Sequence, residues 1–264
     1  MQTSLAFDQA VPYYDKSRSI PDWVSRAVTD SIIELGQIDS PSRVLEIGIG
    51  TGRIALPLLR RGVGIVGIDL SLAMMTELQN KTIDQNFLVM LAQADANLLP
   101  FPDASFDCVY AVHVYHLVAN WQKALREAWR VIKPGASFLV TFHHRDAQSP
   151  NVKIRRRLSE LARERGIDAR RPGSQSYDEL RAELDTLAKT RLIEVARWVE
   201  RTIPVSQILD EVESRLTSDT WTIPEEVMTQ LMPSLREWAR AEFASLDYTV
   251  TEEEEFIWMV LRKE

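Results

Sequence analysis

Short apolar runs, separated by helical patterns, dominate residues 43–142. The runs span 44–47, 64–68, 87–91, 106–112 and 137–142. Most of their apolar residues are consecutive rather than alternating, which is typical of parallel strands buried on both faces. Helical periodicity fills the intervals at 53–61, 72–81 and 121–131. Strands and helices in alternation predict a doubly wound α/β sheet.

Two later stretches, 146–195 and 205–247, also have helical patterns, and each is interrupted by a turn signal. The breaks fall at Arg171-Pro172-Gly173-Ser174 and near Trp221-Thr222-Ile223-Pro224. Apolar runs at 198–203 and 255–261 predict two further strands, which we expect to complete the sheet as an antiparallel pair. The helical stretches are either caps over the ligand edge of the sheet or ordinary helical connections.

Composition narrows the class of protein. The 264 residues are 45% hydrophobic and 26% charged, as in an ordinary globular protein, and the net charge of −7 argues against a nucleic-acid partner. No run approaches the roughly 20 apolar residues that span a bilayer, and the N-terminus lacks a signal-peptide pattern. A single cysteine, Cys108, excludes an internal disulfide. We therefore expect a cytoplasmic protein with no membrane insertion.

The strongest chemical signal is a set of three glycines, Gly48, Gly50 and Gly52, between the first apolar run and a helix. Glycine permits a sharp turn and a close approach of backbone N–H groups to a ligand. This pattern alone suits a dinucleotide as well as another nucleoside cofactor. Arg53 replaces the closing glycine of the dinucleotide pattern. Glu46 would repel a pyrophosphate but suits a cationic or ammonium group.

Two further acidic residues follow predicted strands. Asp69 ends the second strand, where a carboxylate can accept hydrogen bonds from both ribose hydroxyls. Asp95 follows the third strand and is placed to accept a hydrogen bond from an adenine amino group. Three acids around one site predict a ligand that lacks phosphate and carries a positive charge.

Four blocks, in this order and spacing, resemble the class I S-adenosylmethionine-dependent methyltransferases. The resemblance is closest to their ubiquinone/menaquinone-biosynthesis-like small-molecule branch, the methyltransferase type 11 domain. The sequence matches the family pattern closely over about residues 40–142 and only in part over residues 7–18. The blocks are Glu46-x-Gly48-x-Gly50-x-Gly52, Gly67-Ile68-Asp69-Leu70-Ser71 with Met74, Asp95-Ala96-Asn97-Leu98-Leu99-Pro100-Phe101 before Ser105-Phe106-Asp107, and Leu125-Arg126-Glu127-Ala128-Trp129-Arg130-Val131-Ile132-Lys133-Pro134-Gly135.

The resemblance implies a Rossmann-like methyltransferase fold that binds S-adenosylmethionine and releases S-adenosylhomocysteine. The glycine turn would hold the methionine part of this cofactor, with Glu46 near its ammonium group, and Asp69 would hold the ribose. Other residues would contact the adenine or cover the cofactor. They are Leu70 and Met74 packing on the adenine, Asp95 and the Ala96 backbone beside its amino group, and Tyr14 and Arg18 over the cofactor.

All four histidines, His113, His116, His143 and His144, follow the predicted fourth and fifth strands. Ligands of open α/β sheets bind at that edge, and an imidazole can act as a general base at neutral pH. We take His113, His116 and His143 as candidate bases or substrate contacts, and His113 also as a cofactor contact. They could equally be polar residues that cap loops. No metal site is expected.

The predicted organisation has four parts. These are an N-terminal helical lid segment at 1–40, a cofactor-binding α/β core at 41–145, a helical cap insertion at 146–195, and C-terminal strands at 196–264 with a helical insertion at 205–247. An arginine-rich stretch from Lys153 to Arg171 either binds an anionic substrate or is a solvated helix face.

The predicted function is direct methyl transfer to an O, N or C nucleophile of a small molecule, by a monomer or homodimer. The alternatives are a catalytically silent cofactor-binding protein and a NAD-dependent oxidoreductase.

Overall fold

The computed structural model describes residues 4–39, 41–142 and 146–264. Within them, one sheet contains strands β1 (Val44–Ile47), β2 (Ile65–Asp69), β3 (Val89–Gln93), β4 (Phe106–Val112), β5 (Ile132–Thr141), β6 (Arg191–Pro204) and β7 (Thr249–Arg262). The helices are α1 (Tyr14–Ser17), α2 (Asp22–Leu35), α3 (Ala55–Arg60), α4 (Leu72–Thr82), α5 (Trp121–Val131), α6 (Pro150–Glu164), α7 (Tyr177–Asp185), α8 (Val205–Glu213) and α9 (Glu225–Phe243). None of these described helices is long and apolar enough to cross a bilayer.

The strands are ordered β3-β2-β1-β4-β5-β7-β6. The pairs β1–β2, β1–β4, β2–β3 and β4–β5 are parallel, and β7 runs antiparallel to β5. The strands β2 and β3 lie on one side of β1, whereas β4 and β5 lie on the other, so the strand order reverses between β1 and β4. In open α/β sheets, ligands bind beyond the carboxyl ends of the strands at such a point. The predicted α/β class with a mostly parallel seven-stranded sheet is confirmed.

The last two strands also form the predicted antiparallel pair. Arg197 of β6 meets Glu255 of β7 at 2.7 Å, and Thr202 meets Thr251 at 3.2 Å, so residue numbers rise along one strand as they fall along the other. Both strands are longer than the apolar runs that predicted them, because charged residues in them pair across the strands. The helical pattern predicted up to residue 195 ends earlier, with α7.

The core of the sheet forms as the apolar pattern predicts, with β1 buried throughout and α5 occupying its predicted residues. Trp121, Leu125 and Ala128 on one face of α5 join the sheet's buried cluster. Residues 133–135, at the end of the fourth sequence block, lie inside β5, which starts directly after the helix. The register between β4 and β5 shifts there, and this irregularity accommodates the extra residues.

The predicted burial of both strand faces is wrong for β3. This strand lies at the edge of the sheet, and Met90 and the preceding Leu88 are 70% and 71% exposed. The strand also lies two residues later than predicted, since the register with β2 pairs Ile65 with Val89. Consecutive apolar residues therefore do not distinguish a central strand from an edge strand.

The chain divides into two compact units. The first contains residues 1–143, 172–196 and 256–264, and the second contains residues 144–171 and 197–255. Residues 172–196, grouped by the sequence pattern with the preceding helix, thus have their contacts in the first unit. The second unit has its own core, built from buried faces of α6, α8 and α9.

Ion pairs within the second unit account for much of its arginine-rich stretch. Arg155 contacts Asp219 at 2.6 Å, and Arg157 contacts Glu160 at 3.0 Å. Lys153 reaches Glu242 at 2.9 Å. For Lys153, Arg155 and Arg157, these contacts favour a charge-balanced helix face over an anionic substrate site.

Two backbone segments of the first unit cross at Gly173. The Gly173 amide donates to the His116 carbonyl at 3.1 Å, and the Ser174 amide donates to the Tyr115 carbonyl at 3.0 Å. A Cβ added to Gly173 would lie 2.0 Å from the Tyr115 carbonyl oxygen. Glycine is required here because the two backbones approach more closely than any side chain allows.

A buried polar pair lies at the centre of the sheet. Glu46 of β1 is paired in register with Tyr110 of β4, and the Tyr110 hydroxyl donates to Glu46 Oε2 at 2.8 Å. Glu46 is 2% exposed. Burial raises the pKa of the Glu46 carboxyl to about 8, against the opposing effects of the Tyr110 hydrogen bond and the Arg53 charge.

Replacing Gly173 by alanine should destabilise the fold. Gly173→Ala forces the two backbones apart, and we expect the free energy of unfolding to fall by about 3 kcal/mol, as in an overpacked core. Urea denaturation measures this change. Gly64→Ala is the matched control, because its Cβ would lie at ordinary contact distance, 3.6 Å from Leu88 Cβ. Equal stability of the two variants would contradict the close approach of the two backbone segments at Gly173.

Glu46 should make stability depend on pH. From about pH 5 to about pH 8 the folded chain keeps a proton on Glu46 that the unfolded chain releases, so stability falls as pH rises. Relative to Glu46→Gln, the wild type should lose about 1 kcal/mol per pH unit over this range and level off above it. Urea denaturation at several pH values measures the difference, with the exposed Glu253→Gln as control. Parallel curves for wild type and Glu46→Gln would refute the assignment.

Candidate functional site

The turn after β1 has left-handed backbone at Gly48, Gly50 and Gly52, with φ of 74°, 53° and 80°. A Cβ at Gly48 would lie 2.4 Å from Val114 Cγ2, and one at Gly52 would lie 2.3 Å from Leu78 Cδ1. These two glycines let neighbouring side chains pack against the turn. A Cβ at Gly50 would meet no atom beyond its chain neighbours closer than 3.9 Å. Gly50 is therefore the glycine of this turn that faces open space.

A pocket lies beside this turn, at the carboxyl ends of β1, β2, β3 and β4. Among its described lining residues, none is lysine or arginine, and its carboxylates are Asp69 and Asp95. The wall is otherwise largely apolar. The lining residues are Ser4, Leu5, Phe7, Tyr14, Ile47, Gly48, Gly50, Ile68, Asp69, Leu70, Met74, Ala94, Asp95, Ala96, Val112, His113, Val114, Leu117 and Val118.

Asp69 joins the end of β2 to the glycine turn. Its Oδ2 accepts a hydrogen bond from the Gly50 amide at 2.9 Å, and its Oδ1 accepts one from the Ser71 amide at 2.8 Å. Burial raises the pKa of the Asp69 carboxyl, although the backbone donors oppose this rise. A carboxylate oxygen can accept more than one hydrogen bond, so each oxygen retains capacity toward a ligand.

Asp95 begins the loop after β3 and is held by Asn97. Asp95 Oδ1 accepts hydrogen bonds from the Asn97 amide at 2.9 Å and from its side-chain Nδ2 at 3.0 Å. Asn97 Nδ2 also donates to the Ala119 carbonyl at 2.7 Å. This network fixes the loop at the pocket, which Asp95 lines. Ala96, between the two residues, is buried at the pocket wall.

The N-terminal segment of residues 4–18, called the strap below, forms part of the pocket wall. Phe7 and Tyr14 both line the pocket, and their rings meet edge to face with centroids 5.8 Å apart. Arg18, the second strap residue predicted to cover the cofactor, does not line the pocket. Ser4 and Leu5 do line it, although only the region from Phe7 onward resembled the family in sequence.

The two described histidines differ in position. His113 lines the pocket with φ of 55°, an uncommon conformation for a residue with a side chain, and its ring meets Phe256 edge to face at 6.3 Å. Such strained backbone is frequent at functional sites. His116 is 6% exposed, packs against Phe142 and does not line the pocket. His143 and His144 lie outside the described residues.

Most of the predicted cofactor contacts meet at this pocket, and Arg18, Glu46 and Gly52 do not. The Glu46 side chain is directed into the sheet toward Tyr110. Gly52 serves helix packing. Leu117 and Val118 also line the pocket, and as ordinary apolar residues they carry no signal in the sequence that points to a site. Within the described residues, no three His, Cys, Asp or Glu side chains are grouped so that they could hold a metal ion.

Comparison with known proteins matches residues 45–140 to the family model described as a methyltransferase domain. A demethylmenaquinone methyltransferase from Thermus thermophilus is 33% identical over 142 residues, which are 51% of this chain and 62% of the relative. A phosphatidylethanolamine N-methyltransferase from Cereibacter sphaeroides is 32% identical over 119 residues, 44% of this chain and 58% of the relative. The chain thus spans about three-fifths of the length of these two relatives.

A solved structure supports the same fold. The YcgJ protein from Bacillus subtilis superposes with a TM-score of 0.61 at 20% identity, over 90% of this chain and 99% of that one. The order of the sheet agrees with this fold. Over residues 45–140 the chain matches the methyltransferase domain, and it is similar in sequence to demethylmenaquinone methyltransferases.

Proposed function

We propose that the protein is a methyltransferase that uses S-adenosylmethionine as the methyl donor and a small molecule as the acceptor. The observation that carries this proposal is the 2.9 Å hydrogen bond between the Gly50 amide and Asp69 at the pocket wall. In this bond a partly buried carboxylate, rather than a basic side chain, lies beside the open glycine of the turn. This combination suits a nucleoside ligand with a positive charge and no phosphate.

The pocket residues fit the parts of this cofactor. Gly50 leaves room for the methionine part, and the remaining acceptor capacity of Asp69 suits the ribose hydroxyls. Asp95 would accept a hydrogen bond from the adenine amino group. Leu70 and Met74 supply apolar surface for the adenine ring.

The remaining predicted cofactor residues would cover the cofactor, border it or shape the turn. Tyr14 covers the cofactor from the strap, and the Ala96 backbone borders the adenine. Gly48 and Gly52 shape the turn by letting Val114 and Leu78 pack closely.

When bound, S-adenosylmethionine supplies a methyl group attached to a positively charged sulfur. The nucleophile of the acceptor would attack this methyl group directly, and S-adenosylhomocysteine would leave. The chain's own residues bind and orient the two reactants, and this positioning supplies much of the rate. Leu5, Leu117 and Val118 exclude water from the wall. His113 is the candidate base that would take a proton from the acceptor.

The acceptor is proposed only as a small molecule with an O, N or C nucleophile. The two relatives compared above are named for a quinone precursor and for a phospholipid, so they do not agree on one acceptor. The net charge of −7 supports a substrate other than nucleic acid. A NAD-dependent oxidoreductase is disfavoured because Arg53 occupies the position of the closing glycine in the dinucleotide pattern.

Calorimetric titration with S-adenosylmethionine, S-adenosylhomocysteine and NAD tests the cofactor. We expect binding of the first two in the micromolar range and none of NAD. Asp69→Ala should weaken binding by about 1–3 kcal/mol, because charge-assisted hydrogen bonds are lost. The exposed Asp84→Ala is the control and should bind normally.

The other outcomes separate the alternatives. NAD binding alone would support an oxidoreductase and contradict the proposal. Cofactor binding without S-adenosylhomocysteine formation, across a panel of quinol, phenol and amine acceptors, would favour the catalytically silent protein.

Gly50→Ala tests whether the cofactor lies against the turn. The new Cβ has room in the ligand-free chain, so its steric conflict is with the cofactor alone, and we expect affinity to fall at least tenfold. Gly62→Ala is the matched control, because Gly62 has a similar positive φ of 81° and no neighbour within 4 Å. Both variants should lose about 1 kcal/mol of stability from backbone strain. Normal binding by Gly50→Ala would show that the turn has another role.

A further inference from the structure

Polar contacts fasten the strap to loops that carry proposed cofactor residues. At its start, the Leu5 amide donates to the Leu117 carbonyl at 3.0 Å, and the Ala119 amide donates to Ser4 Oγ at 3.0 Å. Both partners belong to the loop after β4. These contacts hold one end of the strap at the pocket.

The middle of the strap is held at the start of α4. The Ser71 hydroxyl donates to Asp8 Oδ1 at 2.7 Å while it also accepts a hydrogen bond from the Met74 amide at 3.1 Å. Ser71 is 1% exposed and caps the helix. This second contact therefore ties the strap to a fixed helix terminus next to Asp69.

Toward its far end, the strap forms a charged pair between Asp15 and Lys81. The Thr51 hydroxyl donates to Asp15 Oδ1 at 2.5 Å, and the Lys81 ammonium donates to Asp15 Oδ2. Lys81 also donates to the Thr51 carbonyl at 3.1 Å. Thr51 is 1% exposed, whereas the Asp15 side chain is 48% exposed. The three residues form a closed polar cluster, called the latch below.

The position of the latch connects two parts of the proposed site. Asp15 directly follows Tyr14, which lines the pocket, and Thr51 lies between Gly50 and Gly52 in the turn. A shift of Asp15 would therefore move Tyr14 relative to the turn. No residue assigned to cofactor contact supplies this link.

We propose that Asp15 is a positioning residue that, through Thr51 and Lys81, holds Tyr14 over the pocket and slows dissociation of the cofactor. This inference rests on the proposed function. The latch joins an ammonium group to a carboxylate, and charge-assisted hydrogen bonds of this kind are stronger than neutral ones. Because Asp15 is half-exposed, salt screens its charge, and high ionic strength should accelerate cofactor release.

Trypsin digestion of the ligand-free protein tests the latch without any cofactor. Lys16 and Arg18 supply cleavage sites in the strap, and cleavage there reports transient opening. We expect Asp15→Asn and Lys81→Met to be cleaved about tenfold faster than wild type. The control is Asp30→Asn, because Asp30 forms an exposed ion pair with Arg61 at 2.9 Å outside the strap. Unchanged cleavage of both latch variants would refute the latch.

Stopped-flow dissociation of S-adenosylhomocysteine tests the role toward the cofactor. Asp15→Asn should dissociate about tenfold faster, and Asp15→Glu should restore part of the slow rate. If Asp15 acts through Tyr14, adding Asp15→Asn to Tyr14→Ala should cause little further change. If the two substitutions instead raise the dissociation rate by factors that multiply, Asp15 does not act through Tyr14.

The two proposals fail in different ways. Absence of cofactor binding by the wild type would refute the proposed function, and the trypsin rates would still decide whether the latch exists. Normal binding by the wild type, with equal dissociation rates for Asp15→Asn, Lys81→Met and Asp30→Asn, would refute the latch alone. Thr51→Val removes the hydroxyl at nearly constant volume and provides a further latch variant if Asp15→Asn does not fold.

Discussion

The hydrogen bond from the Gly50 amide to the Asp69 carboxylate joins the turn after β1 to the end of β2. Two parallel strands bring these residues together, since β1 and β2 pair in register up to Ile47 and Ile68. The bond fixes a glycine turn that has little conformational preference of its own. The pocket and the strap are arranged around this turn, so they depend on the bond.

Glu46 and Asp69, two acids near the turn, show that the surroundings of a carboxyl group decide whether it packs in the core or faces the pocket. Glu46 lies within β1 and faces Tyr110, so its side chain belongs to the core of the sheet. Asp69 lies at the strand end, where backbone amides satisfy it and the pocket begins. Both have a pKa raised by burial, yet only Asp69 lines the pocket. A perturbed pKa near a site therefore does not identify a ligand contact without its geometry.

The matched domain and the second compact unit occupy different parts of the chain. The matched methyltransferase domain ends at residue 140, within the first compact unit. The second unit is built from α6, α8 and α9, and its arginines Arg155 and Arg201 pair with acids of the same unit. Within the basic stretch from Lys153 to Arg171, ion pairs of this kind involve Lys153, Arg155, Arg157 and Arg170.

Local patterns determined the strands, helix α5 and the acids at strand ends, because consecutive apolar residues and glycine spacing act over a few residues. They did not determine that β3 is an edge strand, since that depends on strand order. They also did not determine that Glu46 turns to Tyr110, or that Asp15 meets Thr51 and Lys81. Those contacts join residues far apart in the chain. Only the tertiary structure, in which parallel strands and the strap converge on one edge, brings them within hydrogen-bond distance.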